Sequence, residues 1–349
     1  MMLTDRQKLV LKAIVESYTE SKELDPVGSH TLMKMDGLSK FSSATLRNEM
    51  AELEELGYLE KTHTSSGRIP TELGYRLYVD ELMDVSGLEE EFDEQINQIL
   101  DTNHISKKDM AKSLVKTIVD NPDFNYGAVI LEKTAFNSKI RRLDFVPLKS
   151  HRGVVVLITD QGLVLHKEIT LPEGIVISDV EKTMHYLDSY LHDCLLNDFK
   201  NATKIKFPDD GFFDYMANSA AVIEICLRSI YQLVEDKRSI IGQYNILNHP
   251  ELSEISAAQK YLECIKDGSI YQMVEFDNGP LPVISSSESS NITIRIGNEI
   301  GIKTMNECSS ITAYYQSKTG TGAITIYGPI RMKYKYIVAS LKAIVKNMQ

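Results

Sequence analysis

What most constrains this chain is how closely start and stop signals follow one another in its first 85 residues. Thr4-Asp5-Arg6-Gln7 is a capping box, in which the Thr hydroxyl and the Gln amide satisfy orphan backbone donors reciprocally, and it opens a helix with the apolar stripe Leu9, Val10, Ala13, Ile14. That helix is expected to end near Ser21. Pro26 and Gly28 punctuate the chain before a short helix over 29–35, which Gly37 breaks. Ser42 caps a third helix that stops at Gly57. Tyr58-Leu59-Glu60-Lys61 is strand-like, Thr64-Ser65-Ser66-Gly67 is a turn, and Arg68-Ile69-Pro70 is the returning strand. A fourth helix over 71–83 closes the unit. No one of these segments buries a core alone, and the order helix, helix-turn-helix, hairpin, helix is that of a winged helix-turn-helix domain.

Three further segments separate by pattern. Residues 86–122 are charged and helical, with apolar positions Phe92, Ile96, Ile99, Leu114 and Ile118, and are expected to form a helical linker. From Tyr126 the period shifts towards strands at 128–131, 143–146, 154–158 and 164–169. Strands return at 292–296, 311–315 and 323–327, before a final helix from about Tyr334. The stretch between, 178–262, reads as largely helical. Strands interrupted by a helical block and then resumed predict a multidomain α+β chain whose second domain, 123–177 and 263–349, carries 178–262 as an insertion.

A chain of 349 residues is long enough for two or three cores, and its 43% hydrophobic and 25% charged residues are globular values. No stretch approaches the ~20 apolar residues of a membrane helix, and the N-terminus has no basic segment followed by an apolar one, so a cytoplasmic protein without membrane contact is expected. Cys194, Cys226, Cys264 and Cys308 are scattered singly and are expected to be reduced core residues. The net charge of −11 excludes a protein that coats nucleic acid indiscriminately. Residues 1–85 are themselves acidic, with 15 acidic against 10 basic side chains. Yet Lys34, Lys40 and Arg47 stand against Asp36 over 26–48, and Lys61, Arg68 and Arg76 against Glu72 over 61–78, so both elements expected to face DNA are locally basic.

The third helix carries the functional signal. At 100° per residue Leu46, Met50 and Leu53 share a core face, while Ala44, Asn48 and Ala51 fall opposite with Arg47 on their flank. In a major groove Arg pairs bidentately with guanine, Asn with adenine, and Ala approaches a thymine methyl. Ser42, Ser43 and Thr45, at the start of the helix, offer hydroxyls and backbone N–H groups to phosphate. Glu49, Glu52, Glu54 and Glu55 sit in later turns, which point away from the duplex when a recognition helix enters by its N-terminal residues. The hairpin tip, Lys61, His63, Thr64, Ser65, Ser66, Gly67 and Arg68, mixes cations with small donors suited to backbone or minor groove.

Pro26-Val27-Gly28-Ser29-His30-Thr31-Leu32, Ser42-Ser43-Ala44-Thr45-Leu46-Arg47-Asn48-Glu49-Met50, Leu53-Glu54-Glu55-Leu56-Gly57-Tyr58-Leu59 and His63-Thr64-Ser65-Ser66-Gly67-Arg68-Ile69-Pro70-Thr71 closely resemble the HrcA family of heat-shock repressors. Gly74-Tyr75-Arg76-Leu77-Tyr78-Val79-Asp80, Leu247-Asn248-His249-Pro250-Glu251, Ile294-Arg295-Ile296-Gly297-Asn298-Glu299 and Gly328-Pro329-Ile330-Arg331-Met332-Lys333-Tyr334 extend the resemblance over most of the chain. The resemblance implies a homodimer with a winged helix domain, a GAF-like α+β domain and, at 178–262, an inserted dimerisation domain. It also implies repression of chaperone operons at a double-stranded inverted-repeat operator of the CIRCE type, with the GroEL chaperonin assisting the active form. Ser29, His30 and Thr31 join the expected DNA-binding set. His30 stands where the family commonly has Arg, which predicts a weaker or pH-sensitive phosphate contact there. Leu46 and Ser66 replace the usual Ile and Ala conservatively.

Other chemistries find little footing. Ser113-Leu114-Val115-Lys116 and Lys318-Thr319-Gly320 match two of three penicillin-recognising signatures, but the third is absent. Gly320-Thr321-Gly322 is a hairpin turn with no helix after it, not a phosphate loop. The eight His residues form no metal-ligand spacing, so no metal, cofactor or catalytic residue is expected. The rival reading is a regulator whose GAF-like domain senses a small molecule.

Overall fold

The structure is a computed structural model that describes residues 3–21, 23–61, 67–103, 107–134, 138–148, 151–201, 211–214, 216, 218–235, 237–249, 255–274, 291–317 and 320–348. These form a mixed α/β chain in two compact units: 1–130, 238–315 and 323–349 in the first, 131–237 and 316–322 in the second.

The first unit opens with α1 (Asp5–Glu20), whose capping box is made: Gln7 N donates to Thr4 Oγ1 at 3.2 Å and Thr4 N to Gln7 Oε1 at 2.9 Å. The short α2 (Ser29–Leu32) ends earlier than its pattern suggests, and the chain runs on in turns to Met35 through i→i+3 bonds, since Asp36-Gly37 allows no further helical turn. α3 (Ser43–Glu55) is capped by Ser42, which accepts from Thr45 N at 3.1 Å, and Gly57 leaves the helix at φ +81°. β1 (Leu59–Lys61) and β2 (Arg68–Pro70) pair antiparallel with Leu59 opposite Pro70. Thr71 caps α4 (Glu72–Leu77), which widens into a π turn over Tyr78–Leu82. Val10, Leu11, Ile14, Leu32, Leu38, Leu46, Met50, Leu53 and Leu59 are buried together at the centre of these elements.

α5 (Leu88–Asn103) and α6 (Lys107–Val119) are more than the linker expected of them. Both pack on the C-terminal helix, burying Phe92, Ile96, Leu114, Val115 and Ile118 in one core with Ile337, Leu341 and Ile344. The amphipathic period that marks such a pair is the same whether the apolar stripe meets a neighbour in sequence or one 250 residues away, as Lys342 does in pairing with Glu89 across |i−j| = 253.

The strands do not group as the sequence pattern suggests. β3 (Gly127–Thr134) enters a five-stranded sheet, but β4 (Ile140–Pro147), β5 (Arg152–Thr159) and β6 (Val164–Thr170) form an antiparallel sheet of their own in the second unit. Short connections let consecutive strands pair locally, and Leu143, Phe145, Val155 and Leu157 are buried against α7 (Ile177–Leu191) and α9 (Ser219–Val234), with α8 (Leu196–Asn201) between them in sequence. β7 (Lys237–Ile241), inside the stretch expected to be helical, instead lies at the edge of the five-stranded sheet. Its half-basic sequence hides a strand that covers only one neighbour. α10 (Ile255–Lys266) belongs to the first unit, so the compact units divide at 131 and 237, not at 178 and 262. β8 (Ile292–Ile296), β9 (Cys308–Ser317) and β10 (Gly320–Pro329) complete the order β7-β3-β10-β9-β8, and α11 (Tyr334–Met348) ends the described chain.

Two C-terminal segments hold the N-terminal helices. Arg331, 8% exposed, donates through Nη1 to the carbonyls of Tyr18 at 2.9 Å and Ser21 at 2.5 Å, satisfying acceptors that the end of α1 leaves open. Lys333 pairs with Glu20 at 2.8 Å, and Arg76 reaches the Ile294 carbonyl at 3.0 Å and Glu299 at 2.8 Å. His249 is buried beside Arg331; burial first, and then that guanidinium, push its pKa down to about 4. Folding therefore requires neutral His249. Above pH ~6.5 this costs nothing, and as pH falls from there towards 4 the unfolded chain takes up a proton that the folded chain refuses. We expect stability to drop over that window and His249→Gln to flatten the drop, as read by denaturant midpoints between pH 7 and 4; an unchanged slope contradicts the assignment. Leu341→Ala, in the fully buried face of α11, is expected to cost about 2–5 kcal/mol in the same measurement.

Candidate nucleic-acid interface

The rotation of α3 about its axis decides which side chains it offers to solvent. Leu46, Met50 and Leu53 are buried, as the periodicity requires, and Ala44, Arg47 and Asn48 are exposed on the first turns. Ser42, at the cap, is exposed and touches Thr45 Oγ1 at 2.9 Å; Ser43 and Thr45 are half-buried. His30 and Thr31 are exposed on α2, near the same edge in sequence and fold. Ser29 is different: it is buried, with its Oγ 2.9 Å from Ser43 Oγ and 3.3 Å from Arg47 Nε.

The carboxylates of α3 are handled more tightly than helix projection alone indicates. Glu49 is 4% exposed and forms an ion pair with Arg6 of α1. Gln7 Nε2 donates to Glu52 Oε2 at 2.7 Å. Glu54 Oε2 accepts from Arg68 Nε at 2.7 Å and Nη2 at 2.6 Å. Three of the four acidic groups are thus engaged by side chains of α1 or β2, which reduces their repulsion of a polyanion approaching the N-terminal turns. Arg6 and Lys40 also lie 5.7 Å and 5.2 Å from the Phe41 ring centroid, placing two cations just before the helix.

The hairpin is braced from below. Val27 and Arg68 exchange backbone bonds, Val27 N to Arg68 O at 2.9 Å and Arg68 N to Val27 O at 3.0 Å, so the segment before α2 pairs with β2. Expected as a contact of the tip, Arg68 has a side chain only 14% exposed and committed to Glu54, and a hairpin pattern gives no sign of that partner. Lys61 is exposed at the end of β1. Gly67 is buried, and a Cβ there would stand 2.7 Å from the Pro26 carbonyl oxygen. His63, Thr64, Ser65 and Ser66 lie outside the described residues.

Together these elements present a short edge bearing a guanidinium, a carboxamide and small hydroxyls beside a braced hairpin. A family model described as the HrcA protein C terminal domain matches residues 124–338. The chain belongs to the HrcA family. The heat-inducible transcription repressor HrcA of Acholeplasma laidlawii strain PG-8A is 30% identical over 348 residues, covering 99% of this chain and 97% of the relative. That of Bacillus pumilus strain SAFR-032 is 33% identical over 361 residues, with 99% and 97% covered. Among solved structures, the crystal structure of a hypothetical protein superposes with a TM-score of 0.62 at 23% identity, covering 99% of this chain and 96% of the other. That likeness supports the mixed α/β fold. The HrcA relatives are transcription repressors, not enzymes, and this HrcA-family chain is a heat-shock transcription repressor with them. Among its described residues no helix is long and apolar enough to cross a membrane.

The brace has a measurable consequence. Gly67→Ala forces the Pro26 carbonyl away from β2 and is expected to cost about 1–3 kcal/mol of stability in chemical denaturation. A variant as stable as the wild type would show that the hairpin and the 26–27 segment are not held as described.

Proposed function

We propose that this repressor acts as a homodimer that sets two copies of α3 into successive major grooves of an inverted-repeat operator of the CIRCE type. The N-terminal elements then work as a winged helix-turn-helix, with α2 and α3 as the helix-turn-helix and β1–β2 as the wing. The observation that carries this reading is the pair Arg47 and Asn48, exposed on the first turns of a capped helix whose Glu49, Glu52 and Glu54 are tied to partners inside the protein. In that pose Arg47 and Asn48 read base edges, and Ala44 clears the backbone. Ser42, Ser43, Thr45, His30 and Thr31 position the helix on phosphates, while Lys61 and the tip residues His63, Thr64, Ser65 and Ser66 meet the backbone or minor groove. Gly67, Arg68 and Ser29 serve from behind this surface.

The five-stranded sheet and its helices form the GAF-like domain of this proposal, and the inserted unit supplies dimer contacts. Exposed Val176, Tyr190 and Tyr231, at 53%, 39% and 46%, support that role for it. GroEL raises the DNA-binding-competent fraction, and the protein works in the cytoplasm. A second reading, ligand sensing, draws on a cavity of about 290 Å³ bordered by Asn125, Asn248, His249, Arg331 and Lys333. Thermal shift against a metabolite panel decides it: one compound that both stabilises the chain and alters operator affinity favours sensing.

A mobility-shift assay with a CIRCE-type duplex and a scrambled competitor tests the main proposal. Arg47→Ala is expected to cost about 1–3 kcal/mol and relax base preference. Lys61→Ala should weaken all duplexes alike and lower the salt slope by about 0.9. If Arg47→Ala binds the operator with undiminished affinity and selectivity, direct readout by α3 is wrong. Titrating GroEL onto freshly refolded protein should increase the bound fraction, and no change at any ratio counts against chaperonin assistance.

A further inference from the structure

Ser29 opens α2, yet at 5% exposure its hydroxyl is turned away from any phosphate. It lies instead between two side chains of α3, with Ser43 Oγ at 2.9 Å and Arg47 Nε at 3.3 Å. A guanidinium has no acceptor, so Arg47 Nε–H is the donor and Ser29 Oγ accepts. Ser29 keeps its proton and a second lone pair, so its hydroxyl bonds Ser43 Oγ in either direction without giving up Arg47. The two bonds link Arg47, Ser29 and Ser43, leaving α3, touching α2 and returning to α3 one turn earlier.

We propose that Ser29 is a positioning residue for base recognition: by holding Arg47 Nε–H it turns the Nη1–Nη2 edge of the guanidinium outward, so that Arg47 meets a guanine end-on. This inference rests on the docking of α3 described under Proposed function. The guanidinium is planar and rigid, so fixing one edge orients the opposite donors as a unit. With Nε committed to the protein, the two terminal nitrogens form the fork that matches guanine O6 and N7. An Arg47 without this restraint keeps its charge and its attraction to phosphate but swings among rotamers. Loss of the Ser29 hydroxyl therefore removes discrimination more than it removes affinity.

The test uses the full-length chain and a CIRCE-type duplex in which each guanine in turn is replaced by 7-deazaguanine, which lacks the N7 acceptor. For the wild type, one guanine in each half-site should show a loss of about tenfold on replacement. Arg47→Ala should abolish that penalty. Ser29→Ala should reduce it to about twofold while binding to a scrambled duplex stays near the wild-type value, and Ser29→Thr, which keeps a hydroxyl, should restore it. If Arg47→Ala retains the penalty, the docking of α3 fails. If Arg47→Ala loses it and Ser29→Ala keeps it, docking stands and the role of Ser29 is overturned. Thermal unfolding shows whether Ser29→Ala is folded. Where it is not, hydrogen exchange of Arg47 Nε–H in the unmodified, DNA-free protein decides: slowing relative to free arginine supports the restraint, and exchange at the rate of free arginine overturns it.

Discussion

The presentation of α3 depends on a buried carboxylate. Glu49, one residue after the exposed Asn48, is 4% exposed, and a charge so placed is costly unless a partner meets it. Arg6 supplies that partner from the first turn of α1, inside the capping box that starts the chain's first helix. The pair fixes α3 against α1 in rotation, and Leu46, Met50 and Leu53 fill the same side. With those four positions inward, Ala44, Arg47 and Asn48 have only one direction to face. The exposed edge is thus a consequence of what is buried behind it.

The same economy lowers the negative charge beside the edge proposed to meet DNA, in a chain of net charge −11. Glu52 and Glu54 are bound to Gln7 and Arg68, and the Arg68 pair also braces the hairpin against α3. The wing proposed here is held at its base by an ion pair and by the Val27–Arg68 backbone exchange. Partly buried charge-assisted bonds of this kind are more rigid than exposed pairs, because neither partner has a competing solvated geometry of comparable energy.

Segments 218 or more residues apart in sequence meet at the N-terminal helices: Arg76 with Ile294 and Glu299, and Arg331 with the end of α1 at |i−j| = 313. The family-like motifs around residues 249, 294–299 and 328–334 carry no DNA chemistry of their own. The last two of them meet the first 80 residues, at the carbonyls of Tyr18 and Ser21 and at the Glu20 and Arg76 side chains. His249 stays neutral beside them, because burial and the neighbouring Arg331 guanidinium both disfavour its protonated form.

Local signals made much of this legible without coordinates. Thr4 and Ser42 cap helices and Gly57 ends one, because backbone groups at a helix end are satisfied by residues within three or four positions, and the short apolar runs at 128–131, 154–158 and 323–327 mark buried strands. The exposure of Arg47 and Asn48 was legible for the same reason, as helical periodicity is a property of eight consecutive residues. What the tertiary structure alone decided is partnership across distance: which sheet each strand joins, that Glu49 goes to Arg6 and Arg68 to Glu54, and that Ser29 turns inward beneath Arg47. Alternating hydrophobicity says that a strand has a buried face but not which sheet covers it. A hydroxyl or guanidinium has several partners of nearly equal energy, and only the packing of the surrounding helices selects one.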